Sequence, residues 1–553
     1  MMARIYNARG INNEKSLTRK LKELPDYHQL KDIDKASNIL SDAITSRQKI
    51  LIIGDFDCDG ATSSALGLLA LRKMGACANY LVPNRFEYGY GLTPEIVHAA
   101  TKYQPDILVT VDNGISSIEG VADAKSRGMK VIVTDHHLAG DSLPNADAIV
   151  NPNQPNCPFP GKNTAGVGII FYVMCALRQC LRENGWFTNH PEPNLASFLD
   201  LVALGTVADV VSLDSPNRIL VSQGLARIRS NNCRLGIKAL AEVSGRDITQ
   251  LTAPDLGYAL GPRLNAAGRL DDMSIGIELL ITEHTDHAKE LASKLNNLNQ
   301  ERKEIESGMQ SEAIIELEQL QFNDDKIELP WGLCLFKDNW HQGVVGILAS
   351  RIKEKLHRPV IIFAKVDNGE IKGSARSVPS LHIRDALDNI ARKQPGLILK
   401  FGGHAMAAGL SIKKVDLPLF KKEFDKEVRS QLSKEHLNAE IHTDGELQPE
   451  DITIATAEHL KEGGPWGHNF SEPSFNGRFR VIEQRLVGKK HLKLSLKTLS
   501  SELLIDAIAF NIDPQLWPNP AIKQLDIVYK LDINKYRGQQ RLQLLVDYLH
   551  TAP

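Results

Sequence analysis

Three aspartates stand at alternate positions in Gly54-Asp55-Phe56-Asp57-Cys58-Asp59-Gly60, directly behind the apolar run 49–53 and ahead of a helical pattern. Carboxylates held about 4 Å apart repel by on the order of 4 kcal/mol per pair at an effective dielectric near 20, and a bound cation reverses that sign. One aspartate there would read as a cap on the following helix. Three at alternate positions point to a cation site. Three further motifs repeat the theme: Asp112 closes LVTVD, Asp135-His136-His137 close VIVTDHH, and Asp209 follows the apolar LVALGTVA. Read as strand ends of one sheet, the four motifs would converge on one rim, and carboxylates with imidazoles suit Mn2+ or another hard-to-borderline divalent ion. The chain has no GxSxG elbow and no Walker GxxxxGK[ST], so acyl transfer and P-loop nucleotide hydrolysis have no motif support.

Other segments carry groups suited to phosphate. GPRLNAAGRL sets Arg263, Asn265 and Arg269 in what reads as a Gly-rich, proline-started turn; the choice between plain loop and phosphate contact is even. GSARS offers Ser374 and Arg376, and FGGHAMAAGLS offers Gly402, Gly403 and His404, where glycines let backbone approach a ligand closely. PNRFEYGYGL adds Arg85, Tyr88 and Tyr90, which could clamp a phosphate and stack bases or merely pack a surface.

These residues need elements to hold them. From 49 to 150, β-rich apolar runs alternate with helical patterns, which implies βαβ units and a doubly wound parallel sheet, with ligands beyond the carboxyl ends of its strands. The stretch 285–320 repeats apolar residues at helical spacing and reads as a long connector helix. A second α/β pattern begins after Pro330, and from about Asn438 short alternating strands suggest an OB-like β-barrel. That gives a 1–45 helical extension, a 46–284 catalytic domain, a 285–325 connector, a 326–437 substrate-binding domain and a 438–553 nucleic-acid-binding barrel. The barrel segment carries Arg478, Arg480, Arg485, Lys489, Lys490, His491, Lys493 and Lys497 with Glu483 as its one acid, a density that suits tracking a phosphate backbone.

Bulk properties set few limits. A chain of 553 residues exceeds one core, and a net charge of −2 names no partner, since a basic face and an acidic metal site cancel in the sum. Seven cysteines without a CxxC pair argue against a zinc ribbon or disulfide scaffold and fit a reducing cytoplasm. The N-terminus lacks an apolar signal core, and the stretch 167–177 is too short for a membrane span.

DFDCDG, VDNG, TDHH and GTVAD, in this order, resemble the four signature motifs of the DHH phosphoesterase superfamily, and GGHAMAAG resembles the GGH motif of its DHH-associated (DHHA1) domain. The likeness extends over the whole chain to the superfamily's single-strand-specific exonucleases. It implies that Asp57, Asp59, Asp112, His136 and Asp209 ligate two divalent ions, Mn2+ or Mg2+, with Asp112 bridging. It also implies that His137 contacts the scissile phosphate or assists the second ion, and that Asp55 replaces a histidine of some relatives. Arg85 would lie on the DNA path, and the GGH motif would grip substrate. A two-ion site activates water and stabilises an in-line displacement at phosphorus.

By the same resemblance the activity is 5′→3′ hydrolysis of single-stranded DNA to 5′-mononucleotides in recombination and repair. The implied partners are a single-stranded-DNA-binding protein and a RecQ-type helicase, and the protein is expected to be a cytoplasmic monomer. A phosphodiesterase for short oligonucleotides, pAp or cyclic dinucleotides shares the metal motifs but normally lacks connector and barrel, as does a family II pyrophosphatase. A non-catalytic DNA-binding scaffold is the rival of another class.

Overall fold

The structure, a computed structural model, describes residues 1–83, 91–322, 329–488, 490–536 and 539–551. These form two compact units, one of 1–268, 272–295 and 442–553 and the other of 269–271 and 296–441.

In the first unit the apolar runs become β1 (Lys49–Gly54), β2 (Cys77–Leu81), β3 (Ile107–Val111), β4 (Lys130–Thr134) and β5 (Ala148–Val150). All pair in parallel, in the order β2-β1-β3-β4-β5. β3 is buried along its whole length, and β1 and β4 are buried beyond their first residue, as strands covered on both faces must be. The order reverses between β1 and β3, which makes their carboxyl ends the switch point where open α/β sheets bind ligands. Asp55 follows β1 and Asp112 follows β3.

Three helices meet this rim with one end each: α1 (Cys58–Lys73), α2 (Gly166–Glu183) and α3 (Leu199–Ala208). The motif ending at Asp209 was expected at a strand end; it is the C-terminus of α3, whose residues Leu199 to Thr206 are all buried. A helix buried on every side shows no amphipathic period and reads like a core strand. GPRLNAAGRL also departs from expectation, forming helix α4 (Gly261–Leu270) behind a π-helical turn, Leu256–Leu260, rather than an open turn. Pro262 stands in the first turn of α4, where proline is well tolerated.

The same unit holds the barrel, β11 (Phe475–Val487), β12 (His491–Thr498), β13 (Leu504–Ala509), β14 (Gln524–Tyr536) and β15 (Gln539–Thr551), closed in the order β11-β12-β13-β15-β14. Leu492, Leu494 and Leu496 point inward at alternate positions of β12. The N-terminal segment is tied to this region: Arg9 forms a two-pronged ion pair with Asp444, and the Tyr6 ring stacks with Trp466 and Phe470.

A 38-residue helix, α5 (Thr285–Phe322), begins in the first unit and continues in the second. The second unit carries a mixed sheet, β6 (Leu333–Lys337), β7 (Val360–Lys365), β8 (Glu370–Arg376), β9 (Lys400–Gly403) and β10 (Ala407–Lys413), ordered β6-β7-β8-β10-β9 with only β6 and β7 parallel. Phe363, Phe420 and Phe424 centre its core. No helix of the described residues is long and apolar enough to cross a membrane.

Candidate metal centre

The sheet and the helix ends at its rim bring Asp55, Asp57, Asp59, Asp112, His136, His137 and Asp209 together. Ligand atoms fall into three sets, each within 4.8 Å of one another: Asp55, Asp57 and Asp112; Asp59, His136 and Asp209; Asp112, His136 and His137. His136 Nε2 lies 3.0 Å from Asp112 Oδ1, 3.6 Å from Asp209 Oδ2 and 3.9 Å from Asp59 Oδ2.

Backbone groups hold these side chains. Asp59 is fully buried and accepts the N–H groups of Gly166 and Val167 at 2.6 and 2.9 Å, so its carboxylate sits on the positive N-terminal end of α2. Gly166 is required there, since a Cβ would come within 2.8 Å of Asp112 Cβ. Asp112 has φ +62, a left-handed backbone that costs a non-glycine residue free energy and recurs at functional sites. Asn113 Nδ2 donates to the carbonyls of Ile53 and Val111, tying the ends of β1 and β3 together. Asp57 caps α1 by accepting from Gly60 N.

Asp135 positions its neighbours. It accepts from the backbone N–H groups of His136, His137 and Ile115 and pairs with His137 Nδ1 at 2.7 Å. Asn153 Nδ2 donates to the His136 carbonyl and Asn151 Nδ2 to that of His137. The sequence marked Asp135 only as part of its motif; its place directly before two histidines at a buried strand end was the available signal. The Gly166 and Val167 amides had none beyond the helix start.

Burial, reinforced by crowded negative charge, sets the electrostatics of the site. Burial, then Asp57, pushes the Asp59 carboxyl up to about 7. Burial and the neighbouring aspartates, Asp59 first, hold Asp112 and Asp209 well above the usual carboxylate range. Burial disfavours a charged His137, but the Asp135 hydrogen bond and charge, with the charges of Asp55 and Asp57, together outweigh it and lift the imidazole to about 9. Cys58 stays a thiol, raised by burial and then by Asp57 and Asp59. Hard oxygens plus imidazole nitrogens, without thiolate, form a donor set suited to Mn2+ or Mg2+.

Family models match three segments: "DHH family, N-terminal domain" over 49–206, "DHHA1 domain" over 331–432 and "RecJ OB domain" over 443–548. The chain is 54% identical over 552 residues to the single-stranded-DNA-specific exonuclease RecJ of Dickeya dadantii, covering 99% of this chain and 96% of that protein. The chain belongs to the RecJ family. Crystal structures of Thermus thermophilus RecJ in complex with Mn2+ and with Mg2+ superpose with TM-scores of 0.81 and 0.75, at 28% and 26% identity. Each covers all of this chain, which spans 76% and 74% of those chains. RecJ is thus a metal-binding fold, and this member places acidic and histidine groups for such ions.

The remaining expected substrate residues lie apart from this cluster in the chain. Arg85 lies outside the described residues, with Tyr88 and Tyr90. Arg263 donates to the Ala259 carbonyl, and Asn265 accepts from the Cys58 amide. Arg269 belongs to the second unit, where it donates to the Gly343 carbonyl. In that unit Ser374 of β8 pairs with Gly409 of β10, which pairs in turn with Gly402 of β9. Gly403 and His404 follow, with Gly402 and His404 exposed. Arg376 is largely buried, and among the described residues its guanidinium bonds neutral groups: Ser350 Oγ, Ser374 Oγ and the Ala375 carbonyl. Burial lowers its pKa, a cost that an anion would offset.

The barrel's basic run differs from its reading in sequence. Acids on neighbouring strands and loops neutralise part of it: Arg478 forks onto Asp526, Lys493 meets Asp506 at 3.1 Å, and Lys497 pairs with Glu502. Lys489 lies outside the described residues.

Proposed function

We propose that this chain is a metal-dependent exonuclease specific for single-stranded DNA, working 5′→3′ and releasing 5′-mononucleotides in recombination and repair. The observation that carries the reading is the buried cluster of four motifs at the sheet's switch point, where repulsion among Asp59, Asp112 and Asp209 is relieved only by bound cations or protons. Near-complete coverage of exonuclease relatives extends it to the substrate.

Asp57, Asp59, Asp112, His136 and Asp209 would hold two divalent ions, with Asp112 shared because its carboxylate belongs to two of the three ligand sets. Bound there, the ions supply an activated water and charge stabilisation at the attacking and leaving oxygens. Asp55 stands beside Asp57 and Asp112 as a further carboxylate. His137, kept protonated by Asp135, presents a positive donor to a phosphate oxygen. Arg376 with Ser374, the Gly402–Gly403 backbone and His404 offer a second phosphate grip, and Arg85, Arg263 and Arg269 complete the proposed substrate contacts. A single-stranded-DNA-binding protein and a RecQ-type helicase are proposed partners.

The test is digestion of single- and double-stranded DNA labelled at either end, with Mn2+ or Mg2+. We expect the 5′ label of single strands to appear first, as a mononucleotide. Release of the 3′ label first, or equal attack on duplex, contradicts the proposal. Activity confined to strands of a few residues would favour the short-oligonucleotide phosphodiesterase.

A further inference from the structure

We infer that Asn265 is a positioning residue for the metal centre: its side-chain carbonyl, rather than contacting substrate, fixes the acidic loop through the Cys58 amide. The inference rests on the two-metal reading of that loop.

Cys58 N is the first amide of α1 and has no partner within the helix. Asn265 Oδ1 accepts it at 2.7 Å, from a residue 207 positions away. The peptide so anchored lies between Asp57 and Asp59, so a shift there would displace both proposed ligands. One turn further along α4, Gly268 packs against the peptide before Asp57. A Cβ on Gly268 would lie 1.8 Å from the Phe56 carbonyl oxygen, which no side chain can do. Helix α4 therefore grips both peptide units flanking Asp57, one through a hydrogen bond and one through contact. Gly261 seats the other end of the helix on Ala208, beside Asp209, where an added Cβ would approach Ala208 Cβ to 2.9 Å. One helix thus sets the spacing between the DFDCDG loop and Asp209.

An acceptor role and a phosphate-contact role make opposite demands on the amide. Asn265→Asp keeps an oxygen acceptor and loses the Nδ2 donor, whereas N265A loses both. The experiment is Mn2+ binding to full-length, metal-stripped protein without DNA, followed by electron paramagnetic resonance and paired with steady-state kinetics on single-stranded DNA. For N265A we expect Mn2+ affinity to fall by about tenfold or more, with kcat reduced and KM for DNA unchanged. We expect N265D to recover most of the Mn2+ affinity, and G268A to reproduce the metal defect with circular dichroism unchanged. A raised KM with unaltered Mn2+ binding in N265A, and N265D worse than N265A, would overturn the inference in favour of a phosphate contact. Failure of wild-type protein to bind Mn2+ at all would instead remove the underlying metal reading.

Discussion

His136 Nε2 stands 3.0 Å from Asp112 Oδ1, although the two residues follow different strands, β4 and β3, and lie 24 positions apart in sequence. The parallel register that aligns Thr110 with Val133 and Val111 with Thr134 delivers them to one point. Strand-end chemistry of this kind needs no loop to assemble it.

Replacing Asp112 with Asn should remove at least about 99% of DNA hydrolysis, a loss above ~2.7 kcal/mol of transition-state stabilisation. Because burial already holds the Asp112 carboxyl well above its usual range, the substitution replaces a disfavoured buried acid with a neutral amide of the same shape, and the metal-free variant should melt no lower than wild type. Activity assays with calorimetry on the same preparations check both.

Protons and metal compete for Asp59. Its folded, metal-free pKa is pushed up to about 7 by burial and Asp57. Between roughly pH 4 and 7 the native state therefore keeps a proton that the unfolded chain has released, and stability contributed by this group falls as pH rises. We expect the melting temperature of metal-stripped wild type, relative to D59N, to drop between pH 5 and 8. Added Mn2+ should restore more stability at pH 8 than at pH 5. A flat difference would contradict the burial of an ionisable Asp59.

Asp135 raises the pKa of His137, so Asp135→Asn should lower it toward the ordinary value near 6.5. We expect activity to drop by about 10- to 100-fold, as for other partners of site histidines. The alkaline limb of the pH–rate profile should move to lower pH. An unmoved profile would leave Asp135 a purely structural group.

Arg376→Lys keeps the charge but loses the planar fork that reaches Ser350 and Ser374. KM for single-stranded DNA should rise by about tenfold, ~1.4 kcal/mol, with a smaller change in kcat.

On the barrel, Arg480→Ala with Arg485→Ala should lower the slope of log affinity against log salt by up to about 1.4 if each contacts one phosphate. Binding titrations across salt concentrations check this, and an unchanged slope would assign those faces elsewhere.

Much of the architecture was legible because strands buried on both faces read as unbroken apolar runs, so that Asp55, Asp112 and Asp135 mark where each run stops. The barrel was legible for the opposite reason, since one-sided burial imprints alternation such as Leu492, Leu494 and Leu496. Asp209 was placed on a strand because a helix buried all round carries no period. The segment of Asn265 read equally as plain loop or phosphate contact because residue type shows both donor and acceptor, while only the fold shows which one faces the Cys58 amide. The acids opposing Arg478, Lys493 and Lys497 arrive from other strands and loops, and no local window contains Asp526 beside Arg478.

The most direct measurement counts Mn2+ bound per chain while following mononucleotide release from single-stranded DNA by metal-stripped protein. We expect two ions per chain, no hydrolysis in excess chelator, and a rate that rises with occupancy of the second ion. Undiminished hydrolysis in chelator, or full turnover with a single ion bound, would contradict a two-metal exonuclease.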